Sequence, residues 1–302
     1  MDMNSNKNAP IVIFAFNRLD SLKECVSTLQ KNSEATESDL FVFVDGPREI
    51  KEGEKEKVEA VRQFVMSITG FKSLTYFFSK TNNKLGPSII AGVSEVINKY
   101  GRAIVLEDDL LLSPNVLSFM NQALEKYENC KEVFSVCGYS NRVSRPNGYQ
   151  SDFYFCTRSS SWGWATWADR WNSVDWNLKQ WNDVKENARR FCKWGGSDCW
   201  KMLNDWHRGK NQSWAIRFCY AQFVQNKFSL FPMESLILNE GFDGNGTNSK
   251  RWSRFKFDYS PSERKVFSWP EEISIHPQIY NDAMKYHGVL IRIWSRVMYL
   301  IH

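Results

Sequence analysis

The run Ala103-Ile104-Val105-Leu106, ending in Glu107-Asp108-Asp109, narrows what this chain can fold into more than any other stretch. An apolar run with no polar alternation is a strand covered on both faces, as in the interior of a parallel sheet. Ligands of open α/β sheets bind just beyond the carboxyl ends of such strands. Three adjacent carboxylates there repel one another unless a cation sits among them. Oxygen donors favour a hard ion, Mg²⁺ or Mn²⁺, and an ion with few protein ligands usually also holds a substrate phosphate.

The segments around this run have the same rhythm. Residues 10–16 read as a first buried strand ending at Asn17-Arg18, and Ser21 with Glu24 predicts a capping box for a helix carrying Leu22, Val26 and Leu29. Residues 40–44 form a second strand stopped by Asp45-Gly46-Pro47. The helix after it has a highly charged opening and carries Val58, Val61, Val65 and Ile68. Residues 74–78 form a third strand, followed by a polar loop through Lys84 and a helix bearing Ile90, Val93 and Ile97. The acidic-tipped strand is the fourth. Ser113-Pro114 predicts the start of another helix, lined inside by Val116, Met120, Leu124 and Tyr127. Alternation at this spacing predicts an α/β fold with a doubly wound, parallel sheet and right-handed crossovers. Arg18, Asp45, the loop at Lys84 and the acidic triplet would then meet on one sheet edge.

After about Val133 the rhythm breaks. Short strands at 133–137 and 153–157 flank a loop rich in Asn, Arg, Pro and Gly, and Trp162-Gly163-Trp164-Ala165-Thr166-Trp167 follows. The stretch to Gln212 looks helical in pieces and reads as a lid or substrate-binding region, and 241–248 reads as a glycine-rich loop. We divide the chain into an α/β half at 1–132, an acceptor-binding and catalytic half at 133–270, and a tail at 271–302.

Of 13 tryptophans, most lie between Trp162 and Trp214, so the second half carries surfaces the first lacks. The net charge of +5 is spread along 302 residues without a basic block, which excludes a nucleic-acid-binding reading. Seven cysteines without a C-x-x-C pair read as reduced thiols of a cytoplasmic protein. The polar start shows no secretory pattern, and no apolar run is long enough to cross a bilayer.

Residues 10–29, 41–47 and above all Val105-Leu106-Glu107-Asp108-Asp109-Leu110-Leu111-Leu112-Ser113-Pro114 resemble the catalytic domain of N-acetylglucosaminyltransferase I and its bacterial relatives. Those enzymes are nucleotide-sugar-dependent glycosyltransferases of the GT-A fold, and the Trp-Gly-Trp and Gly-Phe-Asp-Gly segments are similar to those of bacterial polysaccharide transferases of the group. The resemblance implies a GT-A, Rossmann-like, mostly parallel sheet with an appended aromatic-rich acceptor region. It also implies a UDP-sugar donor, an Mn²⁺ or Mg²⁺ cofactor and a glycan or lipid-linked glycan acceptor. Residue by residue, Asp109 would hold the metal, with Asp108 and Glu107 toward the ribose or sugar. Asp45 would accept from the base ring, and Arg18 would lie along the nucleoside. Lys84 would add a positive contact. The family's general-base aspartate has no match in Ser213-Trp214-Ala215-Ile216-Arg217, so Asp198, Asp205 and Asp243 stand as alternative bases for an inverting transfer.

Competing readings carry weight at several positions. Asp45-Gly46-Pro47 is also a good structural turn. Trp162, Trp164 and Trp167 would either fill a core or stack an acceptor sugar, with at least one facing the cleft. The tail from Lys285 to His302 combines apolar residues with Arg and Trp, which predicts either a helix lying on a membrane surface or one docked on the protein itself. A sugar-phosphate nucleotidyltransferase is the alternative enzyme class, although the first turn, Phe14-Ala15-Phe16-Asn17-Arg18, lacks a glycine-rich phosphate loop. A nucleotide-sugar-binding module without catalysis is the non-enzymatic alternative.

Overall fold

The computed structural model describes residues 8–49, 51–241, 255 and 259–301. The chain begins with β1 (Ile11–Ala15), α1 (Leu19–Gln30), β2 (Asp39–Val44), α2 (Glu54–Met66), β3 (Ser73–Phe78), α3 (Leu85–Tyr100) and β4 (Arg102–Glu107). It continues with β5 (Leu110–Leu112), α4 (Val116–Lys126), β6 (Val133–Cys137), β7 (Phe153–Cys156) and β8 (Trp164–Trp167). Four helices follow: α5 (Ala168–Asn172), α6 (Trp181–Glu186), α7 (Ala188–Gly195) and α8 (Cys199–His207). Last come α9 (Trp214–Val224), β9 (Phe228–Pro232), β10 (Ile237–Asn239), α10 (Pro277–Lys285) and α11 (Val289–Ile301).

Eight strands form one mixed, Rossmann-like α/β sheet in the order β3-β2-β1-β4-β8-β6-β9-β7. The four strands of the first half are parallel throughout, with Phe14 beside both Phe43 and Glu107. Successive residues of a strand point to opposite faces, and the two cores divide accordingly. Ile11 and Ile13 of β1 pack with Leu22 and Val26 of α1, with Val58 and Val61 of α2, and with Met120 of α4. Val12 and Phe14 face the other way, onto Ile89 and Val93 of α3 and Trp214 of α9.

The second half departs from the predicted rhythm but not from the sheet. The tryptophan-rich stretch forms β8, inserted antiparallel between β4 and β6. Its own alternation is that of a doubly covered strand. Trp164 enters the α3 and α9 side, while Ala165 and Trp167 enter the other. Gly163 opens the strand with φ +64, and a Cβ there would collide with Ile237 Cδ1, so a side chain would strain the backbone and displace Ile237.

Two helix starts differ from expectation. α1 begins at Leu19, with Arg18 at its cap, so Ser21 lies inside the first turn and caps nothing. α4 begins at Val116, because Ser113 is engaged elsewhere: its hydroxyl donates to Ser262 O at 2.8 Å and accepts from Ser262 N at 2.7 Å. The preceding residues 110–112 pair antiparallel with β10 as a separate two-stranded ribbon.

Trp164 stacks on Trp214 at 4.8 Å and on Trp171 at 5.6 Å, and is 2% exposed. Truncation would leave a cavity among rings that cannot close over it. Trp164→Ala is expected to cost about 3–5 kcal/mol of stability, measured by denaturant unfolding. A loss below about 1 kcal/mol would contradict its role in the core.

Candidate functional site

The parallel half of the sheet presents its strand ends together. Asp45 N donates to Ala15 O at 3.0 Å and Asp108 N to Phe14 O at 3.1 Å, so the tips of β2 and β4 flank the tip of β1. The turn leaving β1 carries Arg18. Its Nη1 donates to Asp109 Oδ2 at 2.9 Å and its Nη2 to Asp108 Oδ1. The cation that the acidic triplet requires is therefore supplied by the chain itself. Burial opposes the charge on Arg18, but the two aspartates hold it ionised. Arg18 sits at the acids, so any placement along a nucleoside requires its side chain to be shared or moved.

Burial also pushes the Asp108 carboxyl up, to about 6, with Arg18 opposing and Asp109 adding to the rise. Phe16 N donates to its Oδ2 at 3.3 Å. Glu107 is raised as well, by burial first and then by Asp109 and Asp108. Asp109 differs from both: its Oδ1 is buried and has no hydrogen-bond partner. A lone buried carboxylate oxygen is costly unless something binds it. Among the described residues there is no group of three or more His, Cys, Asp and Glu able to hold a metal. A hard divalent ion fits nevertheless, because such ions retain waters and phosphate oxygens beside one or two carboxylates.

Asp45 works as a clamp. Its Oδ1 accepts from Gly46 N at 2.9 Å and from Asn83 N at 2.8 Å, and its Oδ2 accepts from Lys84 N at 3.0 Å. These bonds hold Lys84 at φ 65, a strained setting for a residue with a side chain, at the entry to α3. Gly46 permits the approach, since a Cβ there would overlap the backbone of Thr81. The turn reading of Asp45 is thus realised, and Oδ2, with one bond, keeps acceptor capacity for a ligand. The Lys84 side chain is exposed at the same edge.

Of the three tryptophans at 162–167, two belong to the core. Trp167 is 2% exposed and donates its indole N–H to Leu124 O at 3.0 Å, beneath the Arg170 guanidinium at 4.2 Å. Trp164 is enclosed as described above. An acceptor platform therefore reduces to Trp162, which is half-buried and meets Tyr139 and Phe255 edge to face at 4.6 and 5.4 Å.

Two of the three expected bases form ion pairs away from the acidic tip. Asp198 is ion-paired with Arg158 at 2.7 Å; burial alone would raise its carboxyl, yet Arg158 brings it down to about 2. Asp205 is bound to Lys201 one turn away on the exposed side of α8, which lowers its carboxyl. Neither contacts the acidic tip. Asp243 lies outside the described residues.

Two features of the edge were not anticipated. The β5–β10 ribbon carries Asn239, Glu240 and Gly241 onto the acidic tip, where Glu240 N donates to Asp109 O at 2.9 Å. A Cβ at Gly241 would collide with Asp109 Oδ2. Three-residue strands leave little periodicity to read. The second feature is Glu54, the first residue of α2, which is 1% exposed and ties two loops together. Its carboxylate accepts from Asn17 Nδ2 at 3.1 Å, from Arg48 N at 2.8 Å and from Arg48 Nε at 2.9 Å. An acid in a first helical turn normally answers the helix dipole, so this cross-link left no separate signal.

No protein-family model matches the chain, and no curated protein is similar to it. Solved structures that are partly similar include the following three. One is a mannosyltransferase from Pyrobaculum calidifontis in complex with GDP-Man and Mn²⁺, 11% identical, covering 55% of this chain and 46% of that one at a TM-score of 0.35. The second is a UDP-glucose pyrophosphorylase complexed with UDP-glucose, 11% identical, covering 74% and 90% at 0.40. The third is TarS of S. aureus, 15% identical, covering 47% and 23% at 0.32. At these scores the likenesses carry no argument about what this chain binds or does.

Arg48 hydrogen bonds hold the Glu54 carboxyl down at about 2, against an ordinary value of 4.5. A depressed carboxyl contributes stability that is full above its unfolded value and lost as pH falls through the folded one. Thermal unfolding of the wild type relative to Glu54→Gln should therefore show an advantage at pH 6 that disappears between about 4.5 and 2. A difference independent of pH would remove this assignment.

Proposed function

We propose that this protein is a metal-dependent glycosyltransferase that moves a hexosyl or N-acetylhexosaminyl group from a UDP-linked donor to a glycan or lipid-linked glycan, with inversion. The observation that carries the reading is the unpartnered, buried Oδ1 of Asp109, at a sheet edge where acids and Arg18 already converge. The resemblance of residues 105–114 to N-acetylglucosaminyltransferase I and its bacterial relatives supports the same assignment. A cytoplasmic location is supported by seven free cysteines, five of them buried.

In this reading Asp109 holds Mn²⁺ or Mg²⁺, which when bound neutralises the negative charge that a departing nucleoside diphosphate develops. Arg18 lies beside the same acids and is the nearest cation for phosphate oxygens. The Asp45 clamp fixes the 79–84 loop and with it the side of the cleft that receives the base. Glu107, whose carboxyl burial raises, is suited to donate to as well as accept from sugar hydroxyls, while Asp108, paired with Arg18, is an acceptor. Trp162 serves the acceptor. Glu240 takes the role of base, supported by its exposed carboxylate and by the bond of its amide to Asp109 O. A base in this role removes the proton of the attacking hydroxyl as the bond to the donor sugar forms.

The test is UDP release from a panel of UDP-sugars, with and without EDTA, in the wild type and in Asp109→Ala. The expected outcome is activity abolished by EDTA and reduced at least about a thousandfold by the substitution. Activity that survives both rejects the metal role, and formation of UTP and sugar 1-phosphate from the same donors once pyrophosphate is added, with no UDP released, would assign the chain to the nucleotidyltransferases. Glu240→Gln is expected to lower kcat by about 10²–10⁴ while leaving the donor KM within about twofold. An unchanged kcat would return the base to the region around Asp243.

A further inference from the structure

Eleven large apolar side chains are conspicuously exposed among the described residues, and five of them, Val289, Leu290, Ile293, Trp294 and Val297, lie on α11. At 100° per residue these five fall within a sector of about 140°, a continuous stripe rather than scattered positions. The opposite side of the helix is the docked one. Ser295 is 1% exposed, and Arg292 Nη1 donates to Ser197 Oγ at 2.9 Å. Ser197 also donates through its N and Oγ to His287 O, at 3.1 and 2.9 Å, which fixes the approach to the helix. α11 is thus inverted relative to an ordinary surface helix: Arg292 and Ser295 meet the protein and the apolar stripe meets solvent.

We propose that this face of α11 seats the protein on the surface of an anionic bilayer. Charge selects this occupant. Lys285 is paired with Asp282, and beyond it the sequence has Arg292 and Arg296 and no acidic residue. Arg190 and Lys193 lie on α7, whose last turn meets α10 where Tyr280 donates its hydroxyl to Trp194 O at 3.3 Å, and like Arg292 they form no ion pair among the described residues. Uncompensated cations beside a stripe of Leu, Ile, Val and Trp match the headgroup region, where apolar faces sink about 5–10 Å and basic residues meet anionic lipid. The 13 described residues of α11 reach about 20 Å, against a hydrocarbon core of about 30 Å. No described helix is long and apolar enough to cross a membrane. The inference concerns a surface separate from the acidic tip and stands whether or not the chain transfers sugar.

The experiment is co-sedimentation of the full chain with sucrose-loaded vesicles, either phosphatidylcholine alone or phosphatidylcholine with phosphatidylglycerol, together with light scattering of the protein without lipid. The expected result is binding to the anionic vesicles, weakened in about 0.5 M salt and at least about tenfold by the double variant Leu290→Glu, Ile293→Glu. Both side chains are solvent-facing, so the melting temperature should hold; a milder variant, Trp294→Ser, should show a smaller loss and lack the blue shift in emission on binding. Failure of the wild type to sediment with either vesicle overturns the proposal, as does equal sedimentation of the double variant. A lipid-independent dimer that the double variant dissolves would overturn it in favour of a second copy of this chain.

Discussion

The contact of the Arg18 guanidinium with Asp108 and Asp109 is the interaction on which the site end of the molecule depends. β4 runs through the interior, so the acids that end it are delivered to a place poor in water. A buried ion pair adds little net stability, but separating its members leaves an uncompensated charge at high cost. The turn after β1 is consequently bound to put Arg18 over the tip of β4, and α1 begins immediately behind it. Even so, the charges do not cancel: the Arg18 guanidinium answers two aspartates at once, burial and the neighbouring acids raise the Glu107 carboxyl, and Asp109 keeps an unused oxygen. This is a site held together by a resident cation and still short of positive charge.

The surrounding loops are held by the same kind of device, a carboxylate accepting from backbone amides. Asp45 secures the loop before α3, and Glu54 secures the turns after β1 and β2. Charge-assisted bonds of this type are stronger than neutral ones and fix loops that have few apolar contacts of their own. The edge of the sheet is thereby a set of braced turns around one acidic strand end.

The aromatic richness of the second half has mainly a structural cause. Trp164, Trp171, Trp214 and Phe218 fill the space between the antiparallel extension of the sheet and the helices over it. A strand between β4 and β6 must be covered on both faces, and Trp164 on one face of β8 with Trp167 on the other contributes to that cover. The alternation Trp164, Thr166 against Ala165, Trp167 was present in the sequence as a strand signal, masked by its resemblance to a sugar-stacking cluster.

What the sequence determined alone was the parallel half. Its buried strands are unbroken apolar runs, its helices repeat at 3.6 residues, and the topology of such units brings Arg18, Asp45 and residues 107–109 to one edge without further information. Local chemistry therefore sufficed to name the acidic tip. Tertiary structure decided the rest, because the deciding contacts join residues far apart in the chain. Arg18 reaches across 91 positions to Asp109, and Asp198 is paired with Arg158, 40 positions away. β10 meets β5 only after more than a hundred intervening residues, so Glu240 and Gly241 acquire their places at Asp109 from that pairing alone. Periodicity reports which face of an element is covered; it does not report which distant group covers it.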